Sequence, residues 1–126
     1  MIEKRVLVAN RLRRPPAEGF SWIDRRFLRD YAERLSGDAI LLYFFLAAVS
    51  DKHGLSFYSD SSVASRLRMR ETAIVAAREE LLDHDLVAHQ PPLTQVLSLP
   101  PARVARAGLH ALRELARSIQ QEEPNR

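Results

Sequence analysis

Arg66, Arg68 and Arg70 fall within five residues, RLRMR, and Thr72 follows two positions later. A guanidinium is a permanent cation with a planar fork of N–H donors, shaped for phosphate oxygens and for the O6/N7 edge of guanine. A threonine hydroxyl can serve a base or a phosphate. The chemistry such a cluster serves is recognition of a polyanion. Residues that make or break bonds are thinner. The chain has no cysteine, which excludes a disulfide scaffold, a zinc-thiolate site and a cysteine nucleophile. His53, His84, His89 and His110 are scattered, with no carboxylate spacing that completes a metal site, and read as surface histidines. Asp51, His53 and the nearby serines form no recognised nucleophile–base pattern. There is no GxGxxG and no phosphate-binding loop, and only four glycines from which to build one. The chain reads as a non-enzyme that needs no cofactor and no metal.

Charge is distributed unevenly. The net charge is +3 over 126 residues, and Lys4 and Lys52 are the only lysines. Residues 1–35 carry nine basic and five acidic groups, and residues 100–126 five and three; the middle of the chain is slightly acidic. A nucleic-acid footprint is permitted by this balance and not demanded by it. The N-terminal VLVA is too short for a signal-peptide core and RLRRPP follows it. The longest apolar run, AILLYFFLAAV at 39–49, is about half of what a membrane span needs. The expected location is cytoplasmic.

The elements that must position the arginines can be read in order. Residues 1–19 are expected to form an extended basic arm, since Pro15 and Pro16 block a helix and Gly19 ends the stretch. Residues 20–122 are expected to form one domain, with 123–126 as a tail. Within it, an amphipathic helix should begin near Asp24 and run to Leu35, with Phe27, Leu28, Tyr31 and Leu35 at helical spacing. DAILLYFFLAAVSD, 38–51, is a helix apolar almost all round, which must be covered on more than one side. DKHG is a turn and LSFY, 55–58, a short strand. A helix capped by Ser59 or Asp60 follows, with Val63, Ala64 and Leu67 on one face, then a break near Met69. The next helix runs from about Glu71 to His84. LVAHQ and LTQVLSL, separated by two prolines, read as a hairpin. A last helix, 101–121, carries Val104, Gly108, Leu112, Leu115 and Ile119 at helical spacing. The fold class is mainly α with a small β-hairpin. The aromatics Phe20, Trp22, Tyr43, Phe44, Phe45 and Phe57 could line a pocket, but at this spacing they read as core.

The stretch AREELLDHDLVAH, 77–89, carries a resemblance. Leu81, then Leu82-Asp83-His84-Asp85, then Leu86-Val87 is similar to the passage from recognition helix to hairpin in winged helix-turn-helix regulators of the multiple-antibiotic-resistance type. Leu81 ends the buried face of the helix, and Leu86 starts the strand that folds back on it. The chain must reverse at Asp85, where relatives usually have glycine; aspartate adopts the left-handed conformation more readily than most residues. Residues 38–99 resemble such a domain as a whole. The N-terminal half, a hydrophobic helix followed by GLSFYSD, also resembles winged helices of plasmid replication initiators and mobile-element proteins.

The resemblance implies a winged helix-turn-helix with extra N- and C-terminal helices. Its recognition helix would enter the major groove with Arg70, Glu71, Thr72, Ala73 and Ala76, while Arg66 and Arg68 lie near phosphates. Ile74, Ala77 and Leu81 would be buried, with Arg78 lying beside them. Arg11, Arg13 and Arg14 of the arm could follow a minor groove or the backbone. The wing tip, Gln90, Pro91, Pro92 and Leu93, has no cation. The implied function is duplex DNA binding in transcriptional regulation or in mobile-element or plasmid replication control. The implied assembly is a homodimer, because two-fold proteins match palindromic sites. The alternative is a winged-helix adaptor that binds a protein partner, for which Ala73, Val75, Ala76 and the acidic Glu71, Glu79 and Glu80 suit the helix better.

Overall fold

The computed structural model of the 126-residue chain describes residues 2–100 and 113–117. Residues 2–19 are exposed throughout and contain one 3-10 turn, Ala9–Arg11. Three α-helices follow: α1, Gly37–Val49; α2, Asp60–Leu67; and α3, Glu71–Asp83. Three short strands complete the fold: β1, Leu55–Phe57; β2, Val87–Gln90; and β3, Leu93–Val96. The strands form one antiparallel sheet in the order β1-β3-β2, with Ser56 opposite Thr94 and Thr94 opposite His89.

The starts of the helices follow from local chemistry. Ser36 and Ser59 have extended backbones, and their hydroxyls accept the main-chain N–H groups of Ala39 and Ser62, both at 3.1 Å. Each satisfies one of the orphan donors of a first helical turn. α2 ends at Arg68, which adopts the left-handed conformation (φ +57°, ψ +43°), and the Met69 N–H returns to the Ala64 carbonyl at 2.9 Å. Arg70 is extended and opens α3. α3 closes with the expected reversal at Asp85 (φ +60°), where the Leu86 N–H bonds the Leu81 carbonyl at 3.0 Å.

The core lies between the three helices and the inner face of the sheet. Ile74, Ala77 and Leu81 of α3 and Val63 and Ala64 of α2 are buried against Ala39, Leu42 and Leu46 of α1, with Leu86 and Val87 beneath them. α1 packs chiefly against α3. Its two ends are pinned differently. At the N-terminus the Glu80 carboxylate of α3 accepts the Ser36 N–H at 2.9 Å and the Ser36 hydroxyl. At the C-terminus the Ser21 hydroxyl donates to the Ala48 carbonyl at 3.0 Å.

Two expectations are corrected. The helix expected from Asp24 to Leu35 is not a regular α-helix: after one residue pair it widens into a π-helical turn, Phe27–Tyr31, and then tightens into a 3-10 turn, Ala32–Arg34. The rings explain it. Phe27 stacks on Tyr43 of α1 at 3.9 Å and 5°, Tyr31 stacks on Phe27 at 6.4 Å, and Leu35 is buried as well. Ring stacking and burial outweigh the i→i−4 ladder in a segment this short. Burial also pushes the Tyr43 hydroxyl up to about 12. The second strand of the hairpin ends at Val96 rather than Leu99: the Val96 N–H turns to the Gly54 carbonyl at 2.8 Å, and Leu99 drops into the core. The expected C-terminal helix lies outside the described residues except for 113–117, which are helical. There Arg113 donates to the Leu82 carbonyl at 2.7 Å and to the Asp85 carboxylate, covering the end of α3. Among the described residues no helix is long and apolar enough to cross a membrane.

Candidate nucleic-acid interface

α3 presents its outer face at Glu71, Thr72, Val75, Ala76 and Glu79, while Ile74, Ala77 and Leu81 point into the core. The three arginines sit at its N-terminal approach: Arg66 in the last turn of α2, Arg68 at the left-handed cap, Arg70 at the residue before α3. All three are exposed, and among the described residues none of them makes an ion pair. The Arg66 guanidinium carbon lies 5.8 Å from the Tyr58 ring centroid. A cation over an aromatic face is held without being neutralised, so its outward donors stay free. Tyr58 is itself set edge-on to the buried Phe45 at 5.3 Å, so the support runs into the core. Neither Tyr58 nor Phe45 stood out in the sequence for this purpose; Tyr58 reads there as the end of the short strand LSFY, and the partnership with Arg66 exists only across the fold.

The two helices that carry the site are packed on each other and joined by an ion pair. Arg78 of α3 donates to Asp60 in the first turn of α2. Arg78 is expected to lie beside the buried residues of α3; the Asp60 carboxylate is the partner its head group meets. The pair also accounts for one of the four basic groups between residues 61 and 99, leaving the other three facing outward. Thr72 is exposed on the same turn as Arg70, and Ala76 is exposed one turn on. Ala73 is half-buried, the least accessible of the α3 residues named for base contact.

Among the described residues, no hydrogen bond or ion pair brings the other expected contributors to this face. Arg11 closes the short 3-10 turn, and Arg13 and Arg14 are exposed on extended chain. At the hairpin tip Gln90, Pro91, Pro92 and Leu93 are exposed, and the Pro91–Pro92 peptide is cis. Behind the tip, His89 Nδ1 and Thr94 Oγ1 lie 2.9 Å apart. Burial, reinforced by the nearby Arg78 charge, pushes the His89 imidazole below its ordinary value, which favours the neutral ring.

A second feature lies near the C-terminal end of α1. An open cleft of about 840 Å³ is lined by Phe20, Trp22 and Tyr43 on one side and by the 95–99 segment on another. Arg26 sits in it, bonded to the Asp24 carboxylate and, through Nη1, to the Pro100 carbonyl at 2.6 Å. The Arg26 guanidinium holds Asp24 below the usual carboxylate range, so both charges are already matched. Of the other aromatics, Phe45 is core, while Phe44 and Phe57 are exposed. Among the described residues no three His, Asp or Glu side chains are grouped to hold a metal ion.

No protein-family model, no curated protein and no solved structure matches this chain, so the reading of the site rests on its own geometry.

Proposed function

We propose that residues 38–99 are a winged helix that binds duplex DNA through α3 and the turn before it. The single observation that carries the reading is the set of three uncovered guanidiniums, Arg66, Arg68 and Arg70, at the N-terminal end of a helix whose next exposed turn offers Thr72. α3 is about the width of a major groove, and its N-terminal turn is the part that meets base edges in this arrangement. Arg66 and Arg68 take backbone phosphates; Arg70 and Thr72 are the residues placed for bases. The order helix, strand, helix, helix, hairpin, which carries the resemblance, supports this reading. Arg11, Arg13 and Arg14 add phosphate contacts along the flank. The setting is the cytoplasm, in transcriptional or mobile-element replication control.

The test is fluorescence anisotropy of a labelled generic duplex at about 50 and 200 mM salt, where each phosphate contact steepens the loss of affinity. Micromolar or tighter binding that weakens steeply with salt, and that is lost in Arg68→Glu/Arg70→Glu, is the expected result. Absence of binding at the lower salt by folded protein overturns the reading. One observation then favours the adaptor: Val75 is 44 % exposed between Glu71 and Glu79, a combination that suits a protein partner better than a phosphate.

A further inference from the structure

α1 keeps an apolar face turned away from the core. Ala39, Leu42 and Leu46 are buried, and at 3.6 residues per turn the opposite side of the helix carries Gly37, Leu41, Phe44 and Ala48, all exposed. No charge interrupts this stripe. The N-terminal strip runs beside it: the Ser21 hydroxyl bonds the Ala48 carbonyl, and Phe27 stacks on Tyr43. That strip exposes Phe20, Trp22, Ile23 and Leu28. The six large side chains Phe20, Trp22, Ile23, Leu28, Leu41 and Phe44 retain between 37 and 74 % of their surface. At roughly 200 Å² for a free side chain of this size, they leave on the order of 700 Å² of apolar surface on α1 and the N-terminal strip together. That total is comparable to the roughly 800 Å² that each partner contributes to a stable complex.

The stripe is also self-complementary. Read along α1 it runs small, large, large, small. If two copies of α1 lie antiparallel about a two-fold axis passing between Leu42 and Tyr43, Leu41 meets the other copy's Phe44 and Gly37 meets its Ala48. A two-fold contact requires this match of a surface with itself. The stripe brings no like charges together. The described C-terminal residues, 113–117, are anchored to Leu82, Asp83 and Asp85 at the end of α3 and do not supply the cover.

We propose that this face is a homodimer interface, with α1 paired antiparallel to α1 of a second copy and the Phe20–Ile23 strips closing its edges. Because the stripe lies on the side of α1 opposite its core-facing residues, the pairing leaves Arg66, Arg68 and Arg70 uncovered. The assembly stands whether or not the protein binds DNA.

Sedimentation of the full 126-residue chain tests it first. The expected species is a dimer of 14.4 kDa chains at micromolar concentration. Phe44→Glu removes a central anchor from each protomer and should weaken that dimer by about 30-fold or more, a factor that corresponds to about 2 kcal/mol. Phe44 is exposed, so far-UV circular dichroism should be unchanged. A second measurement does not depend on that variant folding. The chain has no cysteine, so Leu41→Cys protein mixed with Phe44→Cys protein should form a disulfide-linked pair under mild oxidation. Each variant alone should cross-link much less, because a disulfide needs Cβ atoms about 4 Å apart. A wild-type monomer overturns the proposal. So does a dimer that Phe44→Glu leaves intact, or one whose mixed variants do not cross-link; the contact would then lie elsewhere or the face would belong to a different protein.

Discussion

Arg78 and Asp60 are bonded across the two helices that carry the candidate interface, with the Arg78 side chain only 13 % exposed and that of Asp60 35 %. The two ends are not equivalent. Asp60→Ala strips the partner from a cation that is mostly out of water, and should cost about 2 kcal/mol in urea unfolding. Arg78→Leu keeps the stem's packing and leaves an aspartate that can turn to solvent, so it should cost less. In the double variant the losses should not add, because one interaction is removed twice. Strict additivity would show that the pair contributes nothing as a pair.

Acid should unfold the protein partly through Glu80. Its carboxylate is held below the ordinary 4.5 by bonds from the Ser36 hydroxyl and the Ser36 N–H. A carboxylate with a depressed folded value contributes stability that is fully present above 4.5 and is lost as pH falls through that folded value. The stability gap between wild type and Glu80→Gln should therefore be constant near neutrality and shrink on acidification. Ser36→Ala, which also removes the cap on Ala39, should cost about 1 kcal/mol at neutral pH. Denaturant titrations at stepped pH read both. A gap that widens in acid would contradict the assignment.

Gly54 sits where β1 begins, with φ +82°, and a Cβ there would stand 2.5 Å from the Val96 carbonyl oxygen. That oxygen belongs to main chain and cannot swing aside. Gly54→Ala should cost about 2 kcal/mol or more from strain and displacement together. The β1–β3 amides should lose hydrogen-exchange protection before those of α3. A neutral substitution would mean that the turn can rearrange freely.

Arg68 is a left-handed residue with a charge, and the two properties can be separated. Arg68→Gly relieves the backbone and should leave stability equal to wild type or raised by up to about 1 kcal/mol. The same change should lower duplex affinity several-fold and reduce the salt slope by about one contact. Lower stability with unchanged binding would make Arg68 a purely structural cap.

What could be read from the chain was mostly local. The cap expected at Ser59 or Asp60 is Ser59, the break expected near Met69 spans Arg68–Arg70, and the reversal falls at Asp85; each is set by a few neighbouring residues. Ile74, Ala77 and Leu81, the trio that the resemblance implies is buried, lie at helical spacing and are buried. What could not be read depends on residues far apart. Glu80 reaches Ser36 across 44 positions and Arg78 reaches Asp60 across 18. The irregular turn at Phe27–Tyr31 answers to a ring on α1, which no periodicity within 24–35 can report. The uncovered face of α1 was foreshadowed by a run apolar on all sides, but which side stays bare is decided by where α3 and the N-terminal strip pack.

The bare hairpin tip has a kinetic consequence. Gln90, Pro91, Pro92 and Leu93 offer no cation, so if α3 engages a duplex as proposed, the hairpin adds no phosphate contact and the duplex should be released quickly. Residence time then depends on how many readers are tethered together. A second copy joined through α1 raises the local concentration of the next reader after the first lets go. Occupancy of DNA should then climb more steeply than linearly as the protein accumulates, giving a threshold from a surface with few charges.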